Sequence, residues 1–151
     1  MHSAVKLGIG VALAATFATT AWAQSQPDRA IMYRQGAFKV MGWNMGPMAA
    51  MVKGERPYDK DEFLKRATNV DHVAALPWEG FGPGTDAGAP TKAKPEIWKD
   101  MAKFKQYADA LSVETTKLVA AAKVGTLDAV KAPFGAVGKA CSNCHDDFRS
   151  K

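Results

Sequence analysis

The stretch TLDAVKAPFGAVGKACSNCHDDFRSK, residues 126–151, sets Leu127, Val130, Phe134, Val137, Cys141, Cys144 and Phe148 at alternating three- and four-residue steps. That spacing is the seam of a packed helix, so the stretch reads as a helix buried along one side. Thr126 suits the N-cap position. Pro133 and several glycines make the pattern locally imperfect. Both cysteines of the chain fall on the seam, three residues apart, with His145 directly after the second.

The same periodicity recurs upstream. A first segment carries Ile31, Arg34, Phe38, Met41, Met45, Met48 and Val52, with Pro27 suited to its start and Gly54 to its stop. Gly46-Pro47 predicts a kink within it. A second, from about Asp59 to Leu76, carries Phe63, Ala67, Val70 and Ala74 and ends at Pro77. A third, predicted as one helix from Pro95 to about Val124, has Ile97, Met101, Phe104, Ala108, Leu111, Thr115, Leu118 and Ala122 on one stripe, with Gly125 as its C-terminal cap. Between the second and third lies WEGFGPGTDAGAPTKAK, residues 78–94, where dense Gly and Pro predict a loop. No segment alternates as a strand does. The expected fold is all-α: an antiparallel four-helix bundle, with one long connection and two short ones.

The first residues stand apart from this pattern. Lys6, the apolar run Leu7–Ala18 and Ala21-Trp22-Ala23 form a secretory signal peptide, residues 1–23, with cleavage expected after Ala23. The run falls short of the roughly 20 residues that span a bilayer. The mature chain, residues 24–151, is then one exported domain with no membrane insertion. Export to an oxidising compartment permits a Cys141–Cys144 disulfide, which would close a tiny loop and stabilise little. The net charge of +5 is spread along the chain rather than gathered in a stripe, which argues against nucleic-acid binding and leaves acidic partners open.

Cys-x-x-Cys-His is the attachment sequence of haem c. On a helix, Cys141 and Cys144 share a face, so their sulfurs can reach the two vinyl groups of one porphyrin. His145 follows within the same turn and can offer imidazole to the iron from that side. Since the cysteines occupy the core seam, the haem would insert into the bundle. A thioredoxin-like pair needs a βαβ setting, a zinc site needs further ligands where only His72 remains, and a bare disulfide leaves His145 without a role. His72 reads as a surface residue of the second helix.

Several methionines, Met32, Met41, Met45, Met48, Met51 and Met101, raise the question of a sixth iron ligand, although Met at helical spacing also serves as core filler. Arg34 is the odd member of the first seam. Either it snorkels from the bundle end, or it meets an anion, for which the haem propionates qualify. Arg149, four residues after His145, either lies near the proximal haem edge or is a solvated terminal charge.

Together, CSNCHDDFR near the C-terminus, YRQGAFKVM in the first helix and LPWEGFGPGT followed by KPEIW resemble cytochrome c′, the class II c-type cytochromes of the bacterial periplasm. The resemblance covers the mature chain. It implies a four-helix bundle, a homodimer packed through the first two helices, and a five-coordinate, high-spin iron with His145 as proximal ligand. Phe38 would then face the sixth position and Arg34 a propionate, with Gln35 at the haem edge. Trp78 would approach the haem from the long loop, Thr91 would close that loop over the propionates, and Arg149 would sit by the proximal pocket. The function implied is binding of nitric oxide, and often carbon monoxide, or electron transfer with an unknown redox partner. A low-spin electron carrier with Met41 on the iron is the alternative. A haem peroxidase lacks a distal His and Arg pair, so no enzyme is expected.

Overall fold

The computed structural model describes residues 25–151. The predicted signal peptide, residues 1–23, lies outside them. The elements are α1 (Gln26–Val52), α2 (Lys60–Ala74), a 3₁₀ turn (Pro77–Phe81), the single-turn α3 (Glu96–Lys99), α4 (Met101–Val124) and α5 (Leu127–Phe148). Four long helices thus form the expected bundle. Among the described residues the only β pairing is an isolated antiparallel bridge between Ala93 and Arg149.

Local chemistry sets the helix ends. Ser25 caps α1 by accepting the Asp28 N–H at 3.3 Å, and Asp59 caps α2 by accepting from Glu62 at 2.8 Å. Thr126 caps α5, accepting the Ala129 N–H at 3.3 Å. Gly125 ends α4 with φ +87°, a left-handed conformation that favours glycine.

One expectation changes. The third helix is not continuous: at Asp100 the backbone leaves the helical region (φ −133°, ψ 63°), separating α3 from α4. The Asp100 carboxylate accepts the Lys103 N–H at 3.0 Å, so a residue read as helix interior is an N-cap. In α1, the helix runs through Gly46-Pro47 to Val52 without interruption. Proline removes one backbone donor there, and the surrounding turns carry the helix past it.

Neighbouring helices pack α1 on α2, α2 on α4 and α4 on α5. The seam between α1 and α5 that would complete the ring is much thinner. Two clusters result. Met48, Met51, Phe63, Leu118, Ala122 and Val130 belong to a larger, mainly aliphatic core. Phe81, Ile97, Phe104 and Phe148 form a smaller aromatic one. Phe38, Trp78 and the cysteine-bearing turn lie between these clusters and the thin α1–α5 seam.

A candidate haem site between the first and last helices

A cavity of about 640 Å³ opens where α1 and α5 stand apart. That volume is within the range of cofactor sites, roughly 300–1,000 Å³. Its walls come from α1, the 3₁₀ turn, the 91–93 strand of loop, α4 and α5. Every site residue expected from the sequence lines it: Arg34, Gln35, Phe38, Trp78, Thr91, Cys141, Cys144, His145 and Arg149. Met41 and Met45 line it too; Met41 also belongs, with Met48 and Met51, to the aliphatic core. His72 is exposed on α2, as expected.

One wall is aromatic. Phe38 meets Trp78 edge-on at 5.8 Å between ring centroids and Phe81 at 6.4 Å. Phe104 meets Phe81 at 4.7 Å and Phe148 at 5.4 Å, also edge-on. Such edge-to-face contacts fix ring orientation as well as burying apolar area. The Trp78 indole N–H donates to the Ala74 carbonyl at 2.6 Å, which leaves its ring face for the cavity wall.

The α5 wall carries the reactive groups. Cys141 and Cys144 are half-buried free thiols. Burial pushes the Cys141 thiol up, and burial aided by its neighbours Cys141 and Asp147 pushes Cys144 up to about 11. Before haem attachment both are therefore protonated, neutral thiols at this apolar wall. Partial desolvation where the exposed ring borders the cavity, and then the Arg149 cation, lower the His145 pKa from its usual value. The neutral imidazole that binds iron is thus favoured at neutral pH. Among the described residues no group of three or more His, Cys, Asp and Glu side chains gathers as a separate metal site.

Arg34 is 1% exposed. Its Nη1 donates to the Gly80 carbonyl at 2.7 Å and to the Thr85 carbonyl at 3.0 Å, and its Nη2 reaches the Thr91 hydroxyl at 3.4 Å. Its guanidinium also lies 4.3 Å from the Phe81 ring centroid. Burial lowers its pKa, with Asp86 partly offsetting that effect. Snorkelling is thereby overturned: the cation is held inside by loop carbonyls while still bordering the cavity. The turn can come this close because residue 80 is glycine. A Cβ there would lie 2.9 Å from the Ala30 carbonyl oxygen and 3.0 Å from the Arg34 Cβ. Gln35 donates to the Pro90 carbonyl at 2.9 Å, so two successive α1 residues hold the loop over one rim of the cavity.

Sequence reasoning missed Phe81, Trp98 and Tyr107 at the site. Phe81 was hidden among Gly and Pro, although its three-residue spacing from Trp78 fits the 3₁₀ turn. Trp98 lies beside Arg34 and donates to the Gly82 carbonyl at 3.0 Å. Tyr107 lines the cavity and donates to Asp147 at 2.6 Å. No local pattern marks that last pair, since the partners are 40 residues apart. The apolar cavity, two inward thiols on one helix face and a neutral imidazole in the same turn fit a haem c.

Comparison with known proteins agrees with this geometry. The family model described as Cytochrome C' matches residues 29–149. A cytochrome c′ of Halomonas halodenitrificans is 45% identical over 132 residues, covering 84% of this chain and 100% of that protein. The crystal structure of cytochrome c′ from Rubrivivax gelatinosus superposes with a TM-score of 0.81 at 41% identity, over 84% of this chain and 99% of the other. A nitric oxide complex of a point mutant of cytochrome c′ from Alcaligenes xylosoxidans superposes at 0.78 with 43% identity, over 84% and 98%.

Proposed function

The chain belongs to the cytochrome c′ family and carries one covalently attached haem c; from that premise we propose that it presents an open iron face to nitric oxide and related diatomics. The observation that carries this reading is Phe38, fixed edge-on to Trp78 and Phe81 on the cavity wall. A phenyl ring has no lone pair to give a metal, and its bulk limits what can approach. Cys141 and Cys144 hold the group by thioether bonds, and His145 supplies its protein ligand. When bound, the haem supplies an iron able to take a diatomic ligand or an electron. Phe38 and the neighbouring rings exclude water and larger ligands. Arg34, fixed by loop carbonyls, offers a cation to the propionates from inside the rim, with Gln35, Trp78 and Thr91 at that edge and Arg149 near the proximal side.

The role proposed is binding and transfer, not catalysis. Met41 also borders the cavity but supports the alternative less well, because it is buried in the aliphatic core while Phe38 bridges both clusters. Absorption spectra of the purified ferric and ferrous protein test the choice. A high-spin ferrous spectrum is expected. A low-spin spectrum that turns high-spin in Met41→Ala would transfer the assignment to an electron carrier.

A periplasmic location is proposed from the signal sequence and the family. No helix among the described residues is long and apolar enough to cross a membrane. A homodimer is supported by the outer face of α1, where Met32, Val40 and Trp43 are exposed, Trp43 at 76%. Gly36 opens the same face, with nothing within 4 Å of a Cβ built there. Trp43→Glu should shift the sedimentation coefficient to that of a monomer; an unchanged value in a dimeric wild type would place the interface elsewhere.

A further inference from the structure

The ligand turn sits at a place where helices ordinarily fray. His145 is three residues from the last helical residue, Phe148. The last four carbonyls of any helix lack partners within it. Here all four are satisfied. The His145 carbonyl accepts the Arg149 N–H at 3.0 Å. The other three are taken by one residue from the long loop. The Lys94 Nζ donates to the Asp146 and Asp147 carbonyls, both at 3.1 Å, and the Lys94 backbone N–H donates to the Phe148 carbonyl at 3.0 Å. The ammonium group also places positive charge where the helix dipole is negative.

Lys94 is anchored in turn. Ser150 N–H donates to the Lys92 carbonyl at 2.8 Å, and Ala93 pairs with Arg149. On the other side of the cavity, Gln35 and Arg34 grip Pro90 and Thr91. Residues 90–94 therefore form a strap from α1, past the cavity, to the end of α5. A second fastening reaches the same turn from α4: Tyr107 and Lys103 both bind the Asp147 carboxylate, at 2.6 and 2.8 Å.

We propose that Lys94 is a positioning residue: by capping the final turn of α5 from outside the helix and strapping it to α1, it fixes the direction from which the His145 imidazole meets the iron. The inference rests on the haem reading above. Fixing the turn removes the rotational and fraying freedom that would give the ring a spread of orientations, since terminal turns otherwise open at almost no free-energy cost.

The test uses the haem-loaded full-length protein with Lys94→Met, Lys94→Arg and Tyr107→Phe, after confirming haem incorporation and global stability by denaturant titration. Failure to incorporate haem in the wild type would count against the haem reading itself, separately from this one. In Lys94→Met, amide hydrogen exchange should accelerate at Phe148 and Arg149 relative to α4. The ferric high-spin electron paramagnetic resonance signal should broaden, and the reduction potential should fall as a cation is lost. Lys94→Arg, which keeps charge and donors, should restore all three. Tyr107→Phe should move exchange and the resonance signal in the same direction by less. Faster exchange with an unchanged resonance signal would make the cap structural only and overturn the proposal, as would unchanged exchange in Lys94→Met.

Discussion

The two ends of this bundle use the same four helices to opposite purposes. At one end Met48, Met51, Phe63, Leu118, Ala122 and Val130 fill the space between the helices, each fully buried or nearly so. At the other, α1 and α5 draw apart, and a wall of Phe38, Trp78, Phe81, Phe104 and Phe148 borders a cavity. The closed end needs only side chains of matching volume. The open end is built from rigid rings, a buried arginine and a loop that supplies backbone acceptors, because a wall shaped to receive a cofactor keeps its form only when each member is held by another. A bundle can thus carry a cofactor-sized opening provided the stabilising core is concentrated elsewhere.

The largest expected effect comes from removing the open end's covalent anchors. Cys141→Ala with Cys144→Ala should abolish haem that survives acid–acetone extraction and leave little folded protein, since the cavity would remain unfilled; retained haem would break the assignment. Leu118→Ala strikes the closed end. It should cost about 2–5 kcal/mol in denaturant titration, the usual range for a buried leucine, while leaving the haem spectrum unchanged. A spectral change would mean that the two ends are not separable.

Arg34→Leu should cost less, about 1–3 kcal/mol, because the Gly80 and Thr85 carbonyls lose their donor inside the protein. It should also shift the reduction potential through loss of a cation beside the propionates. Voltammetry showing the wild-type potential in a haem-loaded variant would restrict Arg34 to holding the loop. Phe38→Ala should act mainly on ligand access: losing a half-buried ring from the cavity wall should raise carbon monoxide affinity in ferrous titrations. Equal affinity in both proteins would remove Phe38 from the ligand path.

The smallest effect lies at the closed end's surface. Arg56 and Arg66 hydrogen-bond the Glu62 carboxylate and hold its pKa below the usual range. A depressed folded pKa stabilises above the unfolded glutamate value, about 4.3, and that contribution is lost as pH falls through the folded value. Glu62→Gln should therefore flatten the acid limb of a stability–pH curve and leave neutral-pH ligand binding unchanged. An acid limb identical to wild type would show the network to be screened by solvent.

Much of the closed end was legible because its information is local. The 3- and 4-residue steps of Leu111, Thr115, Leu118 and Ala122 state which face is buried, and Asp59, Gly125 and Thr126 mark boundaries through their own backbone and side-chain chemistry. Asp100 was read as helix interior because the stripe from Ile97 to Met101 runs across it, while its own capacity to cap gives the opposite answer, and only packing chose between them. At the open end, Arg34 was legible as an anomaly, a charge on an apolar seam, but its partners were not.

The sequence by itself determined that four helices would form, that they would share one seam, and that two cysteines and a histidine would sit together on the last of them. Periodicity and contiguous motifs encode these within a few turns of chain. Tertiary structure alone decided that the thin seam would lie between α1 and α5, that Gly80 and Thr85 would receive Arg34, and that Lys94 would cap a helix more than fifty residues away in the chain. The physical reason is the nature of the acceptors. They are backbone carbonyls, present at every residue and marked by none, so which of them meets a given donor is settled only when the chain has folded around it.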